Sequence, residues 1–336
     1  MRAQNFRAMT DESRGYTSRV LVTGATGFIG HGLCAHLAGL GHEVVAMTRR
    51  PAVGPWATTV TADLGPASID PALLEGVDTI FHLAGKAHVI ARTEAEIREY
   101  ETVHVLGTRA LLSAARQAGV RCCVLLGSVK AMGEGGAEVW DEDTPCQPQT
   151  AYGRTKLAAE RIVLEELPLP CSVVLRPTLV YGRGSKGNLA QLIRAARRGF
   201  LPAISFPPNA RSMVHVEDLI QACILAAGRP EANGRTYIVT DGREYATNDI
   251  MAWIFEALDR KPVARIPFSG LRGVAAVGDM LETLGLPAPL TRDKLNKLAG
   301  SARYSNTRIC RELGFSPQWS LRDGIRDMVD AGGRTP

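Results

Sequence analysis

The stretch that most constrains this chain is Arg19-Val-Leu-Val-Thr23, followed by Gly24-Ala-Thr-Gly27-Phe-Ile-Gly30 and a helical pattern to Leu40. A β-branched run, three glycines spaced G-x-x-G-x-x-G and an apolar helical period read as strand, turn and helix. The first glycine permits the tight turn, the second lets backbone approach a pyrophosphate, and the third lets helix pack on strand. The helix N-terminus then offers free N–H groups and positive dipole to a phosphate. A glycine pattern alone also marks an ordinary turn. The strand before it and the helix after it make it a dinucleotide loop, with Gly24, Gly27, Phe28, Ile29 and Gly30 as candidate cofactor-binding residues.

The alternation of strand and helix continues. Glu43-Val-Val-Ala-Met47 is a second strand, ending at Thr48-Arg49-Arg50. An NAD-binding fold places Asp or Glu there, on the ribose 2′-hydroxyl. A carboxylate repels a 2′-phosphate and an arginine fork pairs with it, so Thr48 and Arg49 favour NADP(H). If the arginines are only solvated loop residues, NAD(H) is used. Thr59 to Leu64 reads as a third strand whose Asp63 meets the adenine, and Asp78 to Gly85 as a fourth, ending in a turn under the cofactor. A long helix from about Glu94 to Ala118, a strand Cys122–Leu126 ending at Gly127-Ser128, a helix Lys156–Leu167 and a strand Ser172–Pro177 follow. Such spacing predicts an α/β fold, a Rossmann-type doubly wound parallel sheet. Its ligands sit at the carboxyl ends of the strands, where Gly24, Thr48, Asp63, Gly85 and Ser128 fall.

The expected division is a disordered leader at 1–18 (or upstream translation of a chain starting at Met9), a dinucleotide-binding domain at 19–180, and a tail at 331–336. Between them, 181–330 reads as a smaller mixed α/β substrate-binding part, with some segments packing back on the sheet. The apolar helix around Leu271 to Leu284 is buried or an oligomer contact. Composition excludes several classes. An apolar fraction of 45% and a charged fraction of 22% are those of a soluble globular protein. The net charge of +5 is spread along the chain, and Arg49-Arg50 and Arg197-Arg198 are too short for nucleic acid. No apolar run reaches the length of a membrane span. Seven scattered cysteines show neither metal spacing nor a disulfide framework, which suits a reducing cytoplasm and no bound metal.

Tyr152 and Lys156 stand four apart in Ala-Tyr-Gly-Arg-Thr-Lys. On a helix they share one face. A lysine ammonium beside a phenol favours the phenolate, and lowering a tyrosine by about 3 pH units, or roughly 4 kcal/mol, makes it a usable acid/base near neutrality. Alone the pair is equally a surface tyrosine beside a solvated lysine.

Together, TGATGFIG, FHLAG (Phe81 to Gly85), Ser128, YGRTK, LRPTLVYG (Leu175 to Gly182), SMVHVEDL (Ser212 to Leu219) and ELGFSP (Glu312 to Pro317) give a resemblance from about Arg19 to Ile325. The chain resembles the extended short-chain dehydrogenase/reductases, within them the NAD(P)-dependent nucleotide-sugar epimerase/dehydratase group. The resemblance implies a catalytic set of Ser128, Tyr152 and Lys156. Tyr152 would exchange a proton with the sugar oxygen, Lys156 would lower the Tyr152 pKa and hold the nicotinamide ribose, and Ser128 would bond the reacting oxygen. It also places Leu64, Leu83, Ala84 and Gly85 along the cofactor, and Lys86, Lys130, Asn188 and Arg211 toward the substrate. Arg211 matches an arginine that pairs with the nucleotide diphosphate; its plain alternative is a surface ion pair. Family members often pair through their two long helices, here roughly 94–118 and 151–167, so the resemblance allows a homodimer.

Departures from the family pattern narrow the reaction. Sugar 4,6-dehydratases carry Asp-Glu directly after the catalytic Ser/Thr, and this chain has Val129-Lys130, which argues against dehydration. His104 stands where the family usually has Asn; a structural substitute is the favoured reading, and a group titrating near neutrality the other. His31, His36, His42, His82, His88 and His215 have no ligand spacing and read as packing or surface residues. The function expected is NADPH-dependent reduction at C4 of a UDP-sugar, in surface-polysaccharide synthesis. The alternatives are a UDP-hexose 4-epimerase with tightly bound NAD, a non-sugar ketoreductase of steroid or flavonoid type, and a non-catalytic dinucleotide-binding scaffold.

Overall fold

A computed structural model of the chain describes residues 18–65, 67–86, 93–283 and 291–332. Strand β1 (Arg19–Thr23) is buried along almost its whole length. An apolar run covered on both faces is the mark of a central parallel strand. Helix α1 (Phe28–Gly39) returns the chain to β2 (Glu43–Thr48), then β3 (Thr58–Thr61) and β4 (Thr79–His82). Helix α2 (Glu94–Tyr100) continues through a π-helical turn at Glu101–Leu106 into α3 (Gly107–Gln117), which leads to β5 (Cys122–Leu126) and the short β6 (Val139–Trp140). Helix α4 (Ala151–Arg161) ends in a second π turn, Ile162–Glu166, before β7 (Cys171–Pro177) and β8 (Leu179–Tyr181).

The remaining elements are α5 (Asn188–Arg197), β9 (Ala203–Ser205), β10 (Arg211–His215), α6 (Val216–Gly228), β11 (Thr236–Val239), β12 (Glu244–Tyr245) and α7 (Thr247–Ala257). They are followed by β13 (Arg265–Pro267), α8 (Phe268–Thr283), α9 (Arg292–Ala299), β14 (Arg303–Tyr304), α10 (Thr307–Leu313) and α11 (Leu321–Gly332).

Seven strands form the main sheet in the order β11-β7-β5-β4-β1-β2-β3, every pair parallel. The strand order reverses between β1 and β4. That switch point opens a crevice at the carboxyl edge, where ligands of such sheets bind. Side chains alternate between two cores, as a period of two demands. Val20 and Val22 face α1 and α6 with Leu33, Leu37 and Leu219, whereas Leu21 faces Leu111, Leu112 and Ile162. A third core gathers Tyr181, Ile193, Ile254, Leu321 and Ile325 from the later elements. There β10 pairs with β8 in parallel and with β12 antiparallel, while β11 returns to the main sheet beside β7.

The doubly wound sheet is the fold expected; several boundaries differ. β3 ends at Thr61, so Asp63 and Leu64 belong to the following turn. Helix α4 begins at Ala151, as the expected helix 151–167 does, because the Thr150 hydroxyl caps it by accepting the Gly153 N–H at 3.1 Å. The fourth strand stops at His82, and the long helix widens where the π turn carries His104. Ser18, placed by the sequence in the leader, accepts the Glu43 N–H, and α11 runs to Gly332, into the expected tail. Leu271, Ala275 and Gly278 of α8 are buried and Val274, Val277 and Met280 exposed. Met9, His88 and Leu284 lie outside the described residues.

Candidate active site

The glycine loop is built by close approach. Gly24 has φ +70°, and a Cβ there would lie 2.9 Å from the backbone of Leu83 and Ala84. At Gly30 a Cβ would meet the Gly24 carbonyl oxygen at 2.2 Å. Only glycine lets the loop press against both the end of β4 and the start of α1. No side chain caps α1, whose N-cap is Gly27. The first-turn N–H groups of Phe28 and Ile29 are therefore free to meet an anion. Thr48 is buried with its hydroxyl donating to the Arg50 carbonyl at 2.8 Å, which fixes the turn that projects Arg49 and Arg50 into solvent. Asp63 is exposed, and Leu64 is buried where the central helix passes it at Gly107. The cradle, the uncapped helix and the two cations fit a dinucleotide.

Tyr152 stands in the first turn of α4. Its phenol hydrogen-bonds Ser128, and its ring meets Tyr100 and His104 edge-on, each with centroids 5.7 Å away. The Ser128 hydroxyl also accepts the Lys130 N–H at 3.2 Å. Lys156 is buried one turn on, its ammonium donating to the Leu126 carbonyl at 2.9 Å. The three expected catalytic residues thus converge. Their electrostatics differ from the expectation that Lys156 pulls the phenol down. Burial pushes the Tyr152 phenol up to about 12; the Ser128 bond eases it, and Tyr100 and Glu160 push it further. Burial also brings Lys156 down to about 8, against the pull of the Glu160 carboxylate.

Beneath this set lies an ion pair that the sequence reading missed. Arg176 of β7 grips Glu160 of α4 through both carboxylate oxygens, Nε donating to Oε1 at 3.2 Å and a terminal nitrogen to Oε2 at 2.7 Å. Their side chains are only 7% and 3% exposed. Burial at that level is tolerable for a charge only when it is paired and hydrogen-bonded. Glu160 also accepts the Ser128 N–H and acts on Lys156. A Cβ at Gly127 would fall 2.5 Å from its Oε1, so the glycine before Ser128 leaves room for this carboxylate. The available signal was an arginine inside the buried run Ser172-Val-Val-Leu-Arg176, with an acid one helical turn past Lys156.

Two histidines tie the site together, and their partners fix their tautomers. The Lys86 N–H donates to His104 Nε2 at 3.2 Å, so the proton sits on Nδ1 and points to Thr155 Oγ1 at 2.9 Å. Thr155 in turn donates to the Tyr152 carbonyl at 3.1 Å. His104 therefore links the turn after β4 to helix α4, the structural role expected of it. His82, read from sequence as packing or surface, is a buried core residue with both ring nitrogens bonded. Thr108 donates to the His104 carbonyl at 2.5 Å and accepts from His82 Nε2 at 2.9 Å. The other His82 nitrogen then accepts from Thr23, at 2.7 Å, whose oxygen takes the Ala84 N–H at 3.0 Å. Burial first, and the Lys156 charge second, bring both histidines down to about 3. Both are neutral at physiological pH.

On the substrate side, Lys86 is paired with Glu99, and Lys130 with Glu134 at 2.7 Å. Asn188 is exposed at the start of α5. Arg211 is half-buried, bonded through Nε to the Gly300 carbonyl at 3.0 Å, and has no carboxylate partner among the described residues. Tyr304 lies close enough to act on it, with a buried hydroxyl that has no hydrogen-bond partner among the described residues. A cavity of about 380 Å³ lined by Glu134, Trp140, Gln147 and Gln149 flanks this region, with Trp140 edge-on to Tyr304. Among the described residues no three His, Cys, Asp or Glu side chains gather as a metal site, and no helix is long and apolar enough to cross a membrane.

Residues 20–240 match the model of the NAD dependent epimerase/dehydratase family. A UDP-glucose 4-epimerase of Vibrio cholerae is 28% identical, over 93% of this chain and 94% of its own. A 3 beta-hydroxysteroid dehydrogenase/Delta 5→4-isomerase of Mycobacterium tuberculosis (strain CDC 1551 / Oshkosh) is 29% identical, over 93% and 89%. Among solved structures, MoeE5 in complex with UDP-glucose and NAD superposes with a TM-score of 0.75 at 27% identity, covering 94% of this chain and 99% of that one.

Proposed function

We propose, proceeding from the fact that this chain belongs to the NAD dependent epimerase/dehydratase family, that it is an oxidoreductase acting at C4 of a UDP-sugar, and that its net reaction is NADPH-dependent reduction of a 4-keto sugar. The observation that supports net reduction is the turn after β2, where buried Thr48 projects exposed Arg49 and Arg50 and so suits a 2′-phosphate and the reductant NADPH. A phenol held near 12 is protonated at neutral pH and serves as a proton donor. Reduction of a ketone needs that donor, because the oxygen gains charge as the carbon gains hydride. Oxidation runs the same path in reverse with the phenolate as base, so Tyr152 supplies the donor and the dinucleotide sets the direction.

A nicotinamide dinucleotide held in this cradle would supply the hydride. Ser128 and Tyr152, bonded to each other, would hold the keto oxygen, and Tyr152 would release its proton there. Lys156, roughly ten to one protonated at pH 7 from a value of about 8, would stabilise the phenolate left behind. No carboxylate directly follows Ser128, so Tyr152 is the single acid/base, which suits transfer of one hydride and one proton. Gly24, Gly27 and Gly30 with the first turn of α1 would cradle the pyrophosphate. Leu64 and the Leu83-Ala84-Gly85 turn would flank the cofactor, with Asp63 toward its adenine. Thr48 and Arg49 would receive a 2′-phosphate, which is the support for NADP(H). NAD in the MoeE5 complex supports the plain dinucleotide instead.

Arg211 supports a diphosphate substrate, since a part-buried guanidinium without an acid partner is suited to two anionic oxygens; Asn188, Lys86 and Lys130 would act around it. Two other readings have a specific observation behind them: the similarity to the Vibrio 4-epimerase, and the similarity to the steroid dehydrogenase. One assay separates the three. Purified protein is given NADPH with a UDP-4-keto-6-deoxy-hexosamine, then UDP-galactose without reductant, then a 3-hydroxysteroid with an oxidised dinucleotide. Consumption of NADPH only with the first supports the proposal. Interconversion of UDP-galactose and UDP-glucose, or turnover of the steroid with no binding of UDP, overturns it.

A further inference from the structure

The segment from β5 to β7 carries Ser128, Tyr152 and Lys156, and each of its ends carries a cysteine. Cys122 opens β5, Cys171 opens β7, and the strands pair in parallel with Cys122 opposite Cys171. Neighbouring strands lie about 4.8 Å apart, inside the Cα separation of about 4.4–6.8 Å that a disulfide spans. The two side chains turn toward each other, with Sγ atoms 2.8 Å apart and the Cys122 thiol donating. Cys122 is covered, and Cys171 is half-buried beside exposed Arg121 and Pro170. A small reagent therefore reaches Cys171 first. The Cys122 hydrogen bond favours the Cys171 thiolate, against burial and the Asp78 carboxylate.

We propose that Cys122 and Cys171 form a redox pair that a low-molecular-weight disulfide, such as oxidised glutathione, closes into a bond tying together the two ends of the catalytic segment. In the first step the Cys171 thiolate attacks one sulfur of the external disulfide, whose S–S bond breaks and whose other half leaves as a thiol, taking up a proton. In the second, Cys122 sulfur attacks Cys171 sulfur in the mixed disulfide, loses its proton, and expels the second external thiol. Two cysteine thiols are oxidised and one external disulfide is reduced to two thiols. Closure to an S–S length of about 2.05 Å moves each sulfur by less than an ångström. The pair faces the amino ends of the strands, opposite the cofactor edge, so the inference stands apart from the hydride-transfer reading.

The test equilibrates the full-length protein in glutathione buffers from fully reduced to fully oxidised, quenches with acid, alkylates free thiols after unfolding, and maps the peptides by mass spectrometry. The expected result is a Cys122–Cys171 linked peptide lighter by two hydrogens, reversed by dithiothreitol, while buried Cys34 and Cys223 stay fully alkylated. The urea midpoint should rise on oxidation, because the bond closes a long loop in the unfolded chain, and should not rise in Cys171→Ser. In Cys122→Ser, Cys171 should stop at the glutathione adduct. Should both cysteines remain as alkylatable as Cys34, or should wild-type Cys171 stop at the adduct, the pair is not a redox pair. The wild-type map decides this even if a serine variant fails to fold.

Discussion

His104→Asn tests the histidine network through its proton linkage. A histidine in the unfolded chain titrates near 6.5, whereas burial and Lys156 bring His104 down to about 3 in the fold. Below pH 6.5 the unfolded chain binds a proton that the native state refuses, so native stability falls as the pH drops. The contribution is complete above 6.5 and lost progressively toward about 3. At 1.36 kcal/mol per pH unit, moving from pH 7.5 to pH 5 removes ~2 kcal/mol from the wild type and nothing from asparagine at this position. At pH 7.5 the variant should be the less stable by about 1–2 kcal/mol, because asparagine is smaller and satisfies only part of the Lys86–His104–Thr155 bonding. At pH 5 that gap should close or change sign. Urea unfolding of both proteins at both pH values reads the difference, and all other titrating groups cancel in it. A gap that stays constant within about 0.5 kcal/mol means that His104 is not held neutral, and the tautomer assignment falls with it.

Three further substitutions probe the site. Glu160→Gln removes the carboxylate that holds Lys156 up. The alkaline limb of kcat should then move to lower pH by about one unit, and stability should drop by about 3–5 kcal/mol as Arg176 loses its partner; an unmoved limb would show that Glu160 is structural only. Arg49→Glu should weaken NADPH by roughly 10- to 100-fold while sparing NADH, measured by fluorescence titration, and an unchanged preference would refute the 2′-phosphate assignment. Tyr152→Phe should abolish nearly all turnover and leave cofactor affinity within about threefold, since the loss falls on proton transfer; retained turnover would exclude Tyr152 as the acid.

What could be read in advance follows from how local its cause is. Gly24 and Gly30 are fixed by backbone collisions within a few residues and with one neighbouring strand, so their spacing announces them. The main strands were legible because an apolar run buried on both faces leaves no other reading. The cap of α4 was not, because Thr150 closes a polar run, Cys146-Gln-Pro-Gln-Thr150, that also reads as loop. Neither π turn leaves a signature in hydrophobic period. Glu160 and Arg176 meet across a helix–strand contact, and His82 meets Thr23 and Thr108 across three elements. Residue type marks such groups as unusual in a core, but partner identity is a property of topology. The Tyr152 pKa was misjudged for a related reason: spacing shows that Lys156 is near, and only the fold shows that burial outweighs it.

The ionisable groups around Tyr152 then have a joint consequence. Lys156 and Arg176 are cationic, Glu160 is anionic, and His82 and His104 are neutral because burial and the same lysine hold them down to about 3. The local charge is thus one net positive, and it does not change across the range where free histidines titrate. The Lys156 charge offsets the Glu160 carboxylate that opposes the phenolate formed when Tyr152 gives up its proton, and that offset disappears only as pH rises through about 8 and Lys156 is neutralised. For reduction, kcat should therefore be flat from pH 5.5 to 7.5 and fall tenfold per unit above roughly 8. The decline should lie well below the Tyr152 value of about 12. A stopped-flow pH series under saturating substrate reads this directly. An acid limb centred near 6 to 6.5 would mean that a histidine titrates in the working enzyme, and that proton donation by Tyr152 depends on a group the network was taken to keep silent.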